Sequence, residues 1–215
     1  MTIIISTFVS EKSVKRKNRM KTIAIFASGE GTNAENLMDY FSVRNDVKVG
    51  VVVYNRKEAG VRIRAERYGV PTEYVPKSRF GDKDFVITML KGYGTDVIVL
   101  SGFLLLVPDY LLEAYPNRVV NIHPSLLPKH GGRGMYGLHV HEDVLRCGED
   151  ESGITIHVCD SDLDRGVTLF RAKCNVERND TPETLAARVQ KLEYAFFPEV
   201  VERLCRGEYD YKFEH

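Results

Sequence analysis

Hydrophobic positions along the chain fall into short continuous runs separated by helical stripes. Residues 22–28, 47–54, 72–75, 96–102 and 118–123 are apolar and rich in Val and Ile. Such runs predict strands covered on both faces. Ala34, Leu37, Met38 and Phe41 recur at i, i+3, i+4 and i+7, one face of a helix. Val61, Ala65 and Tyr68 repeat the pattern, and Pro108 suits the first turn of a further helix. A repeating βα unit predicts a mostly parallel sheet with helices on both sides.

The texture changes after His123. A glycine-rich segment, 129–137, precedes a short helix near 140–145. Strands at 154–159 and 167–176 follow, joined by a tight acidic turn, and a long helix closes the chain. Thr181 can cap that helix, Pro182 fits its first position, and Glu183 suits its dipole. Leu185, Val189, Leu192 and Phe196 give it an apolar stripe. The expected fold is α/β: a Rossmann-like, doubly wound, mostly parallel sheet with a C-terminal β-hairpin and a long helix. Residues 20–206 are expected to form one domain, with an N-terminal extension at 1–19 and a tail at 207–215. The extension runs apolar (3–9) then basic (12–19), the reverse of a secretory signal, so Met20 reads as the natural start.

Composition narrows the function. At 43% hydrophobic and 28% charged residues, the chain has ordinary globular usage, which excludes a disordered protein. No apolar run reaches the ~18 residues of a membrane helix. The net charge of zero hides an asymmetry: five bases against one acid make the first 20 residues +4, and 25 bases against 29 acids leave the remainder at −4. An acidic body argues against a nucleic-acid partner. Cys147, Cys159, Cys174 and Cys205 form no CxxC pair, and read as plain thiols in a reducing cytoplasm.

Three segments could carry chemistry. Ser28-Gly29-Glu30-Gly31-Thr32-Asn33-Ala34 follows a strand and opens a helix, where backbone N–H groups and the helix dipole favour an anion. Its Gly-x-Gly-x-x-Ala spacing also fits a relaxed dinucleotide fingerprint, but the acidic ribose partner is missing where the second strand ends Tyr54-Asn55-Arg56. A phosphate cradle is the better reading, and an ordinary tight turn the plain one. Asn121 and His123 share a strand face ahead of Pro124. They stand at a strand's carboxyl end, where open α/β sheets bind ligands. Asp160, Asp162 and Asp164 crowd a turn whose spacing does not fit a calcium loop; a solvated hairpin turn is its bland alternative. His123, His139, His141 and His157 lack a specific zinc spacing, so no metal is expected.

Asn121-Ile122-His123-Pro124-Ser125-Leu126-Leu127-Pro128-Lys129, preceded by Leu100-Ser101-Gly102-Phe103 and followed by Leu163-Asp164-Arg165-Gly166, resembles the 10-formyltetrahydrofolate-dependent formyltransferases. The loop at 29–33, the segment Gly137-Leu138-His139-Val140-His141 and a closing helix with Gln190 and Glu193 resemble the branch that formylates glycinamide ribonucleotide in purine synthesis. The resemblance spans residues 20 to about 206. It implies direct formyl transfer from 10-formyltetrahydrofolate to the ribonucleotide amine, with no metal and no covalent intermediate.

Asn121, His123 and Asp164 match the family's catalytic residues. Asn121 and a cationic His123 would stabilise the oxyanion, and the carboxylate of Asp164 would favour the charged ring. The resemblance also assigns Gly31, Thr32, Asn33, Gln190 and Glu193 to the phosphoribosyl substrate. It assigns Leu104, Leu105, Leu106, Val107 and Lys83 to the folate. Leu105 replaces a frequent Arg, Ser161 stands where Asp is common, and the stretch 131–136 is longer than in many members, a flexible lid or a mere insertion. The implied partners are small molecules, with no nucleic acid or membrane, acting on a monomer or homodimer in the cytoplasm. Within the family, methionyl-tRNA, sugar-nucleotide and formyltetrahydrofolate-hydrolysing enzymes are the rivals. Outside it, Arg56 keeps an NADP-binding module open.

Overall fold

The structure, a computed structural model, describes residues 19–209. Most of the expected extension (1–18) and tail (210–215) lies outside the described residues. The chain runs β1 (Lys21–Ala27), α1 (Thr32–Ser42), β2 (Val47–Tyr54), α2 (Val61–Arg67), β3 (Thr72–Tyr74), α3 (Lys83–Gly92), β4 (Val97–Leu100), α4 (Asp109–Ala114) and β5 (Val119–His123). It continues through α5 (Leu138–Arg146), β6 (Glu151–Val158), β7 (Thr168–Asn175) and α6 (Pro182–Arg206). One sheet holds the strands in the order β3-β2-β1-β4-β5-β6-β7. β1 to β5 pair in parallel, and β6 and β7 add an antiparallel hairpin at one edge.

Alternation along β1 builds both core layers. Ile23, Ile25 and Ala27 face a cluster with Leu37 and Phe41 of α1, Val61 of α2, and Leu185 and Val189 of α6. Ala24 and Phe26 face the other side, with Val86 and Leu90 of α3 and Leu111 of α4. Burial on both faces is why these strands read as unbroken apolar runs. Helix α6 is fixed at both ends. The Thr181 hydroxyl accepts from the Thr184 N–H, the Thr184 hydroxyl accepts from the Thr181 N–H at 2.9 Å, and Gly207 ends the helix in the left-handed region.

Some elements differ from the pattern expected of them. α3 has no counterpart among the apolar stripes given above, although Asp82 caps it by accepting from the Phe85 N–H at 3.1 Å. α2 ends at Arg67, so Tyr68 turns outward instead of completing the stripe. β6 begins at Glu151, before its apolar run, because antiparallel pairing with β7 extends the ladder through polar residues.

The sheet order reverses between β1 and β4, which places a crevice at their carboxyl ends. Backbone bonds stitch the two loops there: Ser28 N–H to Gly102 O at 3.1 Å and Ser101 N–H to Phe26 O at 2.9 Å. The Leu104 N–H donates to the Ser28 hydroxyl at 2.9 Å.

Candidate active site

The glycine turn after β1 forms one wall of the crevice. Gly31 sits at φ 74°, a left-handed conformation that favours glycine. A Cβ at this position would also lie 2.4 Å from the Val61 Cγ2 methyl. The chain can therefore turn tightly into α1, whose first N–H groups remain free of helical partners. α6 crosses this end. Asn33 Nδ2 donates to Glu193 Oε2 at 2.8 Å, and Gln190 Nε2 donates to the Thr32 hydroxyl at 3.3 Å. Gln190 and Glu193, three apart, present one helix face to the turn. Burial raises the pKa of Glu193, and the Asn33 hydrogen bond partly offsets it.

The end of β5 supplies the opposite wall. Val120 and Ile122 point into the core, so Asn121 and His123 project from the other face. Asn121 Nδ2 donates to His157 Nε2 at 3.1 Å, across the β5–β6 register pair that joins the two residues. His157 Nδ1 then donates to the Val158 carbonyl at 3.3 Å. Burial lowers the His157 pKa and so favours this neutral form, against the opposing pull of Asp164. Since an amide nitrogen carries two hydrogens, Asn121 keeps one for a ligand.

His123 is 4% exposed. Its Nε2 donates to the His130 carbonyl at 2.8 Å, and its Nδ1 lies 3.7 Å from Asp164 Oδ2. Asp164, at φ 59°, also holds Oδ1 3.7 Å from His157 Nε2 and accepts from the Gly132 N–H at 2.8 Å. One carboxylate thus faces both imidazoles. The loop carrying the His130 carbonyl is itself anchored. The Ser125 hydroxyl donates to Lys129 O at 2.7 Å. Thr155 Oγ1 donates to Ser125 O at 2.8 Å and accepts from the Leu127 N–H at 3.0 Å.

A cavity of about 350 Å³ joins the two walls and is lined by Asn33, Leu104, Asn121, His123, Gln190 and Glu193. Gly31 and Thr32 do not line it, but the Thr32 hydroxyl is held by the lining residue Gln190. Asp164 does not line this cavity; it lines an adjoining one with Gly131 and Gly132, and so reaches His123 from behind. The segment 104–107 divides: Leu104 and Leu106 are exposed, whereas Leu105 and Val107 pack onto the core. Lys83 is exposed at the start of α3 and lines neither cavity.

Two further residues enter the site. Tyr136, from the glycine-rich stretch, and His141 also line the main cavity. Burial, with a smaller effect from His123, pushes the His141 pKa down to about 4. His139, two residues earlier, is exposed and meets Glu142 at 3.1 Å.

A profile of the formyl transferase family matches residues 21–201. The chain belongs to the formyl transferase family. The chain is 34% identical to a phosphoribosylglycinamide formyltransferase of Bacillus subtilis, over 88% of this chain and 99% of the relative. It is 38% identical to a chloroplastic phosphoribosylglycinamide formyltransferase of Arabidopsis thaliana, over 87% of this chain but 66% of that protein's own length. A solved glycinamide ribonucleotide transformylase 1 from Symbiobacterium toebii superposes with a TM-score of 0.84 at 29% identity, covering 94% of this chain and 96% of that one. A TM-score this high over nearly the whole of both chains shows that the two share the α/β fold. The site of this chain offers a free amide hydrogen, an imidazole backed by a carboxylate, and a helix N-terminus for an anion.

Proposed function

We propose that the protein transfers the formyl group of 10-formyltetrahydrofolate to the amine of glycinamide ribonucleotide. The observation that carries this reading is a single cavity. Asn33, Gln190 and Glu193 stand at one end, beside the glycine turn, and Asn121 and His123 stand at the other. A phosphate on the free N–H groups of α1 would direct the rest of the ribonucleotide along the cavity toward β5. Glu193 and Gln190 would accept from and donate to its sugar and amide groups.

The amine lone pair forms a bond to the formyl carbon, and the carbonyl electrons move onto oxygen. Asn121 donates its second Nδ2 hydrogen to that oxygen. Cationic His123 adds a further donor when Nε2 exchanges the His130 carbonyl for the oxyanion, and Asp164 beside Nδ1 balances the ring charge. The attacking nitrogen then sheds a proton to an intervening water and on toward the Asp164 carboxylate, since the charged ring of His123 has no site left to accept one. The folate nitrogen gains one as its bond to carbon breaks. Leu104 and Leu106 offer an apolar flank to the folate, Leu105 and Val107 fix that segment by packing, and Lys83 is an outlying contact. The reaction requires no metal and no macromolecular partner, and a monomer or a homodimer in the cytoplasm would serve.

The test offers 10-formyltetrahydrofolate with glycinamide ribonucleotide, an amino-sugar nucleotide or methionyl-tRNA. Formyl transfer to the ribonucleotide alone is the expected result. Faster transfer to either other acceptor would reassign the substrate, and tight nicotinamide-dinucleotide binding without transfer would replace the reading altogether.

A further inference from the structure

Outside the cleft, one group of metal-ligating side chains converges among the described residues, and it is not the histidine set weighed from the sequence. His130, Asp143 and Cys147 each bring a ligand atom within 4.8 Å of the others. Asp143 and Cys147 stand one turn apart on α5 and its C-cap, hence on one face. The His130 side chain is only 7% exposed. Its Nδ1 meets Asp143 Oδ2 at 2.6 Å. Its buried Nε2 has no hydrogen-bond partner, and Glu149 Oε1 lies 3.5 Å from it.

We propose that His130 and Cys147, with the carboxylates of Asp143 and Glu149 on either side of the ring, form a binding site for a divalent transition metal of the zinc class. Imidazole, thiolate and carboxylate are the ligands zinc takes. Bonds of ~2.0–2.3 Å set two ligand atoms on one tetrahedral ion ~3.2–3.8 Å apart, and the His130–Glu149 separation already has that span. Asp143 on Nδ1 is the outer carboxylate that commonly orients a metal-bound imidazole. A buried ring nitrogen without a hydrogen-bond partner has lost its bond to water, and a metal bond replaces it.

Lys129 now holds Glu149 at 2.8 and 3.0 Å, and Arg146 holds Asp143. The ion would displace Lys129, and the thiol proton would leave to solvent as the metal–sulfur bond forms. Cys147 sits exposed at the end of α5, with its sulfur within 4.8 Å of the ligand atoms of His130 and Asp143. The site is structural, one residue's backbone away from the proposed chemistry, because the His130 carbonyl receives His123.

Cobalt titration of the reduced full chain tests this. A saturable thiolate-to-cobalt absorption at one equivalent, reversed by zinc and absent in Cys147→Ser, is the expected result. Cys147 is the one exposed cysteine, so the band is assignable. Glu149→Gln should weaken cobalt binding at least tenfold while Cys147→Ser keeps wild-type formyl transfer. No band, or an equal band in Cys147→Ser, overturns the proposal. So does a zinc-induced rise in melting temperature that is the same in both proteins.

Discussion

Asn33 Nδ2 donates to Glu193 Oε2 at 2.8 Å, tying the turn after the first strand to the last helix of the chain. The bond joins an early and a late segment of the chain at the part of the cavity proposed for the phosphoribosyl group. Glu193→Gln and Asn33→Ala should therefore raise the KM for glycinamide ribonucleotide ~10-fold, the loss of a hydrogen bond to a charged group, with a smaller effect on kcat. Steady-state kinetics at varied ribonucleotide check it. A fall in kcat alone would place the pair elsewhere in the reaction.

Gly166 follows the turn that presents Asp164. A Cβ at this position would lie 1.7 Å from the Val158 carbonyl oxygen, a backbone atom with little room to give. Gly166→Ala should shift the turn, carry Asp164 away from His123, and cut transfer at least tenfold while the far core is kept. Activity within twofold of wild type would show that the turn absorbs the methyl.

His141 gives stability a pH dependence. Its pKa is lowered from 6.5 to about 4, so the unfolded chain takes the proton first as pH falls. Stability from this group is complete above pH 6.5 and is lost as pH drops toward 4. The loss is about 3 kcal/mol if the full shift is expressed. Denaturant unfolding between pH 7 and 4 should show a shallower decline for His141→Phe than for wild type. Parallel curves would contradict the burial argument.

The sheet and its neighbours were legible because periodicity and burial coincide there. The run 47–54 is β2 to the residue, and Ala34, Leu37, Met38 and Phe41 are all buried. α3 carries a weaker signal, Asp82 as its cap before Val86 and Leu90, in a helix of only 10 residues. What the sequence could not disclose was register. His157 faces Asn121 only because β5 and β6 pair antiparallel at that offset, and no local pattern sets it. The grip of the His130 carbonyl on His123 was hidden for a related reason: loop backbone atoms leave no trace in residue types.

The proposed chemistry turns on His123, so the rate of formyl transfer by His123→Ala at saturating substrates is the most direct measurement. A drop of ~10²-fold or more, with ribonucleotide binding and folding retained, is the predicted result. A rate within a few-fold of wild type would contradict the account.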